Sequence, residues 1–280
     1  MSLPRTAAVL AAAVLAGAGW GVTAGPAHAA TTVPRFDHVV LVMFENHAST
    51  QITSSSAPYF TSLAAQGANF TQSYAVTHPS QPNYLALFSG STQGVTSDSC
   101  PENFPTTTKN LGSQLKDAGL TFTGYSEALP SVGATACTSG NYARKHNSWV
   151  DFANVPASSN QPLSAFPADY SALPTVAFVT PNMCNDMHDC SVATGNTWLR
   201  TNLDGYAQWA KTHNSLLIVT FDEDNLLSLN HIYTSFVGAH VKAGSYSERI
   251  MHYSVLHTIE DAYGLAALNS SYASITDVWS

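Results

Sequence analysis

The sequence predicts an α/β protein in which a mostly parallel central sheet is sandwiched by helices. Three observations carry that reading. The runs 38–44, 175–179 and 216–221 are apolar almost throughout and rich in Val, Ile, Leu and Phe, as strands buried on both faces of a helix-covered parallel sheet are. Stretches with helical periodicity or helix-stop glycines lie between them, and strands alternating with helices build such a sheet. Each run also ends in carboxylate, amide or imidazole side chains, at the strand ends where an open α/β sheet binds its ligands.

The chain of 280 residues is 45% apolar, enough for a sizeable core and against global disorder. Only 10% is charged, where an average domain has roughly 25%. With ten Lys and Arg and a net charge of −8, no basic stripe is available, so nucleic-acid binding is not expected.

In chain order, residues 1–29 read as a secretory signal: Arg5 is the only charge, 7–19 is an apolar run, and Ala27-His28-Ala29 is an Ala-x-Ala cleavage site. The run is short for a membrane anchor, and no other stretch is apolar enough to span a membrane. Residues 30–280 then form a single domain. His38–Phe44 is the first strand. Pro58–Gln66 is a helix stopped by Gly67. A second helix follows Ser80, with Pro82 in its first turn and Gly90 at its end. Residues 110–118 make a helix ending at Gly119, and 120–125 alternate as a fourth strand. The segment 126–174 is rich in Ser, Pro, Asn and Ala and reads as a loop-rich cap over one end of the sheet. Residues 197–212 carry Trp198, Leu199, Leu203, Tyr206, Trp209 and Ala210 at a period near 3.6. Residues 232–237 read as a fifth strand, and 251–263 as a helix ending at Gly264.

The four cysteines, Cys100, Cys137, Cys184 and Cys190, all lie after the signal. An even count in an exported chain favours two disulfides. Cys184 and Cys190 are the local pair, which leaves Cys100 with Cys137. A zinc site is the alternative, but no C-x-x-C spacing is present.

The chemistry collects in Glu45-Asn46-His47, in Asp186-Met187-His188-Asp189 and in Asp222-Glu223-Asp224-Asn225, one cluster after each confident strand. Parallel strands bring all three to one edge, where they form a ligand set for a divalent metal. Helix caps would account for one cluster but not for three. Ser80 stands at a helix N-terminus, where backbone N–H groups and the positive dipole end favour an anion. It is either a nucleophile toward a phosphoryl group or an ordinary N-cap serine. No G-x-S-x-G is present, so a nucleophile elbow is not supported.

Taken in order, 38–46 (HVVLVMFEN), 78–90 (HPSQPNYLALFSG), 142–147 (YARKHN), 181–189 (PNMCNDMHD), 220–223 (TFDE) and 252–261 (HYSVLHTIED) resemble the bacterial and fungal phosphoesterase family. That family contains non-specific acid phosphatases and bacterial phospholipases C, and belongs to the alkaline phosphatase superfamily. The resemblance implies an alkaline-phosphatase-like core, a metal held by Glu45, Asn46, Ser80, Asp222 and Glu223, and a phosphoseryl intermediate on Ser80. It also implies that Asp186, His188 and Asp189 face the site, Asp186 as a further ligand. The spacing Asp186-x-His188 departs from the longer Asp-x-x-x-His of two-metal members. Oxygen ligands suit Ca²⁺, Mg²⁺ or Mn²⁺, and histidines would bring Zn²⁺.

His188, His231 and His252 are the candidates to protonate the leaving alkoxide. Asn83, Arg144, Lys145, His146 and His231 are the candidates to bind substrate, with a solvated turn as the alternative for the basic patch. The function expected is a secreted, metal-dependent phosphomonoesterase acting on a small phosphoester. A phosphodiesterase or phospholipase C acting on phospholipid headgroups is the alternative. Phospholipase members are longer and continue the Glu-Asn step with a basic residue and a serine, where this chain has His47-Ala48. A closed site would favour monoesters, and an open groove with exposed apolar residues would favour lipids. A metal-free carboxylic ester hydrolase and a non-catalytic binding module complete the range.

Overall fold

The structure, a computed structural model, describes Met1 and residues 32–280; apart from Met1, the expected signal segment lies outside the described residues. In 32–280, eleven strands and five α-helices are arranged around one nine-stranded sheet. The strands are β1 (His38–Phe44), β2 (Ala68–Tyr74), β3 (Phe122–Ser126), β4 (Thr138–Ser139), β5 (Tyr142–Ala143), β6 (Asn160–Pro162), β7 (Val176–Thr180), β8 (Ser215–Phe221), β9 (His231–Gly238), β10 (Gly244–Tyr246) and β11 (Ile250–Met251). The helices are α1 (Pro58–Gln66), α2 (Ser80–Ser89), α3 (Leu111–Asp117), α4 (Val192–Ala210) and α5 (His252–Ala262).

The sheet runs β10-β2-β9-β8-β1-β7-β3-β6, with β11 also pairing with β2. Every pairing is parallel except those of β9, which runs against both β2 and β8. β1, β7 and β8 sit side by side at the centre, in register from Val39 against Val176 and Leu216.

Alternation along β1 sorts the two cores. Val39, Leu41 and Met43 pack on one face with Leu85, Phe88, Leu111, Leu256 and Trp279, from α2, α3, α5 and the C-terminal segment. Val40, Val42 and Phe44 pack on the other with Phe60, Leu63, Trp198 and Leu203, from α1 and α4. Removing each such side chain from water stabilises the fold by about 1.5–3 kcal/mol. Burial on both faces is why β1, β7 and β8 read as continuous apolar runs.

The expected elements fall within a few residues of those found, apart from α4, which starts at Val192, where the Ser191 side chain accepts from Thr194 N–H. β2 is an addition to the reading. Its sequence ANFTQSY is half polar because only alternate positions are buried, and its register slips between Phe70 and Ser73. The cap segment also departs from expectation in part, because β6 joins the edge of the main sheet beside β3. Its Trp149 lies against β3 where any Cβ on Gly124 would come within 2.1 Å of the indole, and it donates to Asn160 Oδ1 of β6 at 2.9 Å. The disulfides are Cys100–Cys137 and Cys184–Cys190. Among the described residues no helix is long and apolar enough to cross a membrane.

Candidate active site

The loops leaving β1, β7 and β8 are stitched together by their backbones. Glu45 N–H donates to Asp186 O at 2.8 Å, and Asp222 N–H donates to Phe44 O at 2.9 Å. Asn46 takes a left-handed turn, φ 55°, one that Asn tolerates better than most residues. That turn aims its N–H at Asp222 Oδ1, 3.0 Å away. Three carboxylates from three strand ends, Glu45, Asp186 and Asp222, are thereby gathered out of solvent.

Ser80 faces this cluster. It is the first residue of α2, with Pro79 in the capping position. Its Oγ donates to Glu45 Oε2 at 2.9 Å, and Tyr84, on the same face one turn later, donates to Glu45 Oε1 at 2.5 Å. Asn83 holds the turn that precedes Ser80. Its Oδ1 accepts from Val76 and Thr77 N–H, and its Nδ2 donates to Thr77 O and Pro79 O. That leaves Asn83 a positioning residue, 3.4 Å from Glu223 Oε2.

The cap segment delivers a histidine and a lysine. His146 Nδ1 is 3.1 Å from Asp186 Oδ2, and its Nε2 is 3.2 Å from Glu45 Oε1. Its ring stacks on Tyr84 at 5.1 Å. Lys145 Nζ donates to Asp98 Oδ2 at 2.8 Å and lies 3.4 Å from His188 Nε2. Asp98 Oδ1 accepts from Gln81 N–H, 2.9 Å away at the start of α2. His188, partly exposed, is 2.7 Å through Nδ1 from Asp189 Oδ1, and its backbone N–H donates to Asp186 Oδ1 at 2.8 Å.

Other candidates are placed elsewhere. Arg144 is buried in the cap, where Nε donates to Asp151 Oδ1 at 3.0 Å, Nη1 to Thr135 O and Nη2 to Glu102 O. Its donors are thus taken up in holding the cap rather than offered to substrate. His231, at the start of β9, is 3.1 Å from Ser49 Oγ and 2.9 Å from Thr71 O, and stacks on Tyr74; these contacts are not with the carboxylate cluster. His252 opens α5 and donates from Nε2 to Asp222 O at 2.7 Å. Burial pushes its pKa down to about 4, so it supports the Asp222 backbone as a neutral ring.

The electrostatics are those of a site short of positive charge. Burial, with the charges of Asp222 and Asp186, holds the Glu45 carboxyl well above its ordinary range. Burial lifts Asp186 to about 7 and raises Asp222. Burial and the Asp222 charge push Glu223 to about 9. Burial and neighbouring Lys145 press His146 down to about 3. Asp222 Oδ2 is fully buried without a hydrogen-bond partner. Donor atoms of Glu45, His146 and His188 lie within 4.8 Å of one another. Clustered buried carboxylates, an orphaned oxygen and converging imidazole nitrogens fit a divalent cation.

Three contributors escaped the sequence reading: Tyr84, Asp98 and His78, whose Nδ1 is 2.9 Å from Glu223 Oε2 and whose Nε2 is 3.3 Å from Asp224 Oδ1. Tyr84 carried a usable signal, since it follows Ser80 at helical i+4 spacing.

A mostly parallel central sheet with flanking helices is a fold found in the alkaline phosphatase superfamily. A crystal structure of a member from Vibrio parahaemolyticus superposes with a TM-score of 0.60 at 13% identity, over 85% of this chain and 70% of that one. The chain belongs to the Phosphoesterase family, which it matches over residues 51–266, and it is a hydrolase acting on phosphoester bonds. It is 52% identical over 279 residues to a phosphatidylinositol-3-phosphatase of Mycobacterium tuberculosis, covering 97% of this chain and 92% of that one. It is 32% identical over 226 residues to an acid phosphatase of Aspergillus fumigatus. That match takes in 74% of this chain and 50% of the fungal protein, so the chain spans half of that relative's length.

Proposed function

We propose that the protein is a secreted, metal-dependent phosphomonoesterase with Ser80 as its nucleophile, acting on a phosphate carried by a lipid headgroup. One observation carries the nucleophile: Ser80 Oγ–H points at Glu45 Oε2, 2.9 Å away, at the first position of α2. Secretion rests on the signal segment and the two disulfides. The lipid headgroup rests on the phosphatidylinositol-3-phosphatase relative, matched along 97% of this chain.

Glu45, Asn46, Ser80, Asp222 and Glu223 would hold the cation, with Asp186, His146 and His188 adjoining. When bound, a divalent cation neutralises phosphate oxygens and acidifies a serine hydroxyl. The protein's own groups do the rest. Glu45 Oε2 orients the hydroxyl hydrogen of Ser80, which leaves an oxygen lone pair for phosphorus. The α2 N-terminus and the Lys145 ammonium favour the negative charge of the transferring group. As Ser80 Oγ bonds to phosphorus its hydroxyl proton passes to Glu45 Oε2, and the ester oxygen departs with its electron pair. His188, oriented through Nδ1 by Asp189, supplies the proton to that alkoxide, and water then cleaves the phosphoserine.

The test is hydrolysis of p-nitrophenyl phosphate and bis-p-nitrophenyl phosphate by the mature protein, with and without chelator and for Ser80→Ala. Monoester turnover is expected to fall by about 10³-fold or more in Ser80→Ala and to collapse on chelation. Preference for the diester would instead support the phospholipase reading. Undiminished activity in Ser80→Ala would remove the nucleophile.

A further inference from the structure

The loop 222–230 joins β8 to β9 and runs directly out of the candidate ligands Asp222 and Glu223. Its tip is apolar and bare: Leu226, Leu227 and Leu229 are 74%, 83% and 93% exposed. This is not a slack turn. Asp224, itself 1% exposed, clamps it from beneath. Its Oδ1 accepts from Leu226 N–H at 2.7 Å, and its Oδ2 accepts from Ser228 N–H at 2.6 Å and Asn230 N–H at 3.0 Å. Asn230 returns a bond from Nδ2 to Thr77 O at 2.9 Å, and His231 N–H caps Ser228 O at 3.1 Å. The clamp fixes Leu226 at φ 68° and Leu229 at φ 56°, left-handed conformations that a leucine adopts rarely and at a cost.

Such a tip suits an apolar medium. Burying backbone N–H groups without partners is costly; those of Leu226, Ser228 and Asn230 are satisfied within the loop, while those of Leu227 and Leu229 need the hydrated depth of the interface. The leucines stand largely exposed as an apolar wedge at the loop tip and also form one wall of a cleft. Beside them Tyr74, His78, Arg249 and Met251 line an open cleft of about 490 Å³ together with the loop. Arg249 lies over the Tyr74 ring at 3.9 Å, exposed and without a carboxylate within ion-pair distance among the described residues. An exposed arginine at the rim of an apolar wedge complements lipid phosphates. The net charge of −8 makes general electrostatic adhesion to an anionic surface unfavourable, so attachment has to come from insertion.

We propose that the Leu226–Leu227–Leu229 tip inserts into the interfacial layer of a phospholipid bilayer and thereby presents the catalytic edge to lipid-borne phosphomonoesters. The inference rests on the lipid-headgroup reading above, but its test does not depend on turnover. Mature protein is sedimented with phosphatidylcholine vesicles, with and without anionic lipid, alongside L226N/L227N/L229N. Asparagine tolerates positive φ, so the clamp and the fold are kept. Wild type is expected to pellet with both vesicles, and the triple variant to bind at least tenfold more weakly. Its hydrolysis of p-nitrophenyl phosphate should stay within twofold, while hydrolysis of a vesicle-borne lipid phosphomonoester should fall in step with binding. Wild type that ignores vesicles, or a triple variant that binds equally well, overturns the proposal. So does a vesicle-free wild-type dimer that the triple variant dissociates, since a second copy would then be covering the leucines. Vesicle binding without turnover of any phosphoester would leave the insertion standing and overturn the functional reading instead.

Discussion

Tyr84 donates to one oxygen of Glu45 at 2.5 Å while Ser80, one turn earlier on α2, donates to the other at 2.9 Å. A single carboxylate is thus held at both oxygens by one helix face, and the Tyr84 ring is itself fixed by stacking against His146. These two bonds fix the orientation of the Glu45 carboxylate.

Tyr84→Phe keeps the ring and removes the hydroxyl. Partners that orient a metal ligand are typically worth 10–100-fold in metal affinity or activity. Tyr84→Phe should therefore need about ten times more divalent cation for half-maximal monoester hydrolysis, with its circular dichroism unchanged. A cation titration of the two proteins checks this, and equal midpoints would exclude the positioning role.

A bound cation should also appear in stability. Glu45, Asp186 and Asp222 are held above their ordinary protonation range by burial and, for Glu45, by the charges of the other two. Relief of that repulsion is linked to binding of the native state alone. Adding Ca²⁺, Mg²⁺, Mn²⁺ or Zn²⁺ to chelated protein should raise the melting temperature, most for the native ion. Thermal scans with each ion rank them.

Arg144 and Asp151 form a buried ion pair at 3.0 Å, with side chains 4% and 0% exposed. Deleting one partner of such a pair strands the other and costs about 3–5 kcal/mol. Arg144→Ala should destabilise the protein by that amount in urea unfolding. It should also weaken substrate binding through the neighbouring Lys145, a second effect that a KM measurement separates from the first.

The Cys100–Cys137 disulfide ties together a loop with a sequence separation of 37, for which chain entropy gives about 4 kcal/mol. Its loss should lower stability by about 2–4 kcal/mol in Cys100→Ser/Cys137→Ser. Asp98 lies two positions before Cys100 and holds Lys145, so KM should rise in the same variant, as steady-state kinetics on a soluble monoester would read.

Glu260 offers a pH test away from the carboxylate cluster. It is buried in α5; Oε1 accepts from Leu268 N–H at 3.0 Å, and Oε2 has no partner. Burial lifts its pKa from 4.5 to about 7. The native state therefore binds the proton more tightly than the unfolded chain. The resulting stability is full below about 4.5 and is lost as pH rises through about 7. Unfolding of wild type and Glu260→Gln compared between pH 4 and 8 should show the variant gaining on wild type as pH rises, at matched cation concentration.

Much of this architecture was legible in the residues. β1, β7 and β8 announce themselves because burial on both faces leaves no polar interruption, and the acidic clusters at their ends come together at the candidate site. β2 stayed hidden because half of its positions are polar and its register slips. Within Arg144-Lys145-His146, charge alone marked a basic patch. The three neighbours nonetheless part ways: Arg144 into the cap, Lys145 to Asp98 and His146 to Glu45 and Asp186. Arg144–His146 is a 3₁₀ turn, and which way each side chain leaves it is decided by tertiary packing rather than by residue type. Asp98 had no local signal, since its two partners come from α2 and from the cap.

The reversal of β9 has a consequence for how this enzyme is assembled. A parallel neighbour to β8 would require a crossover spanning the length of the sheet. β9 instead pairs back antiparallel, with Thr220 opposite Thr234, so the intervening leucine-bearing turn leaves and rejoins the sheet at one edge. Its tip can be shortened, lengthened or exchanged while the strands on either side keep their places. If this turn holds the enzyme at a bilayer as proposed, where the enzyme settles is separable from which bond it breaks, and transplanting the leucines would readdress the catalyst.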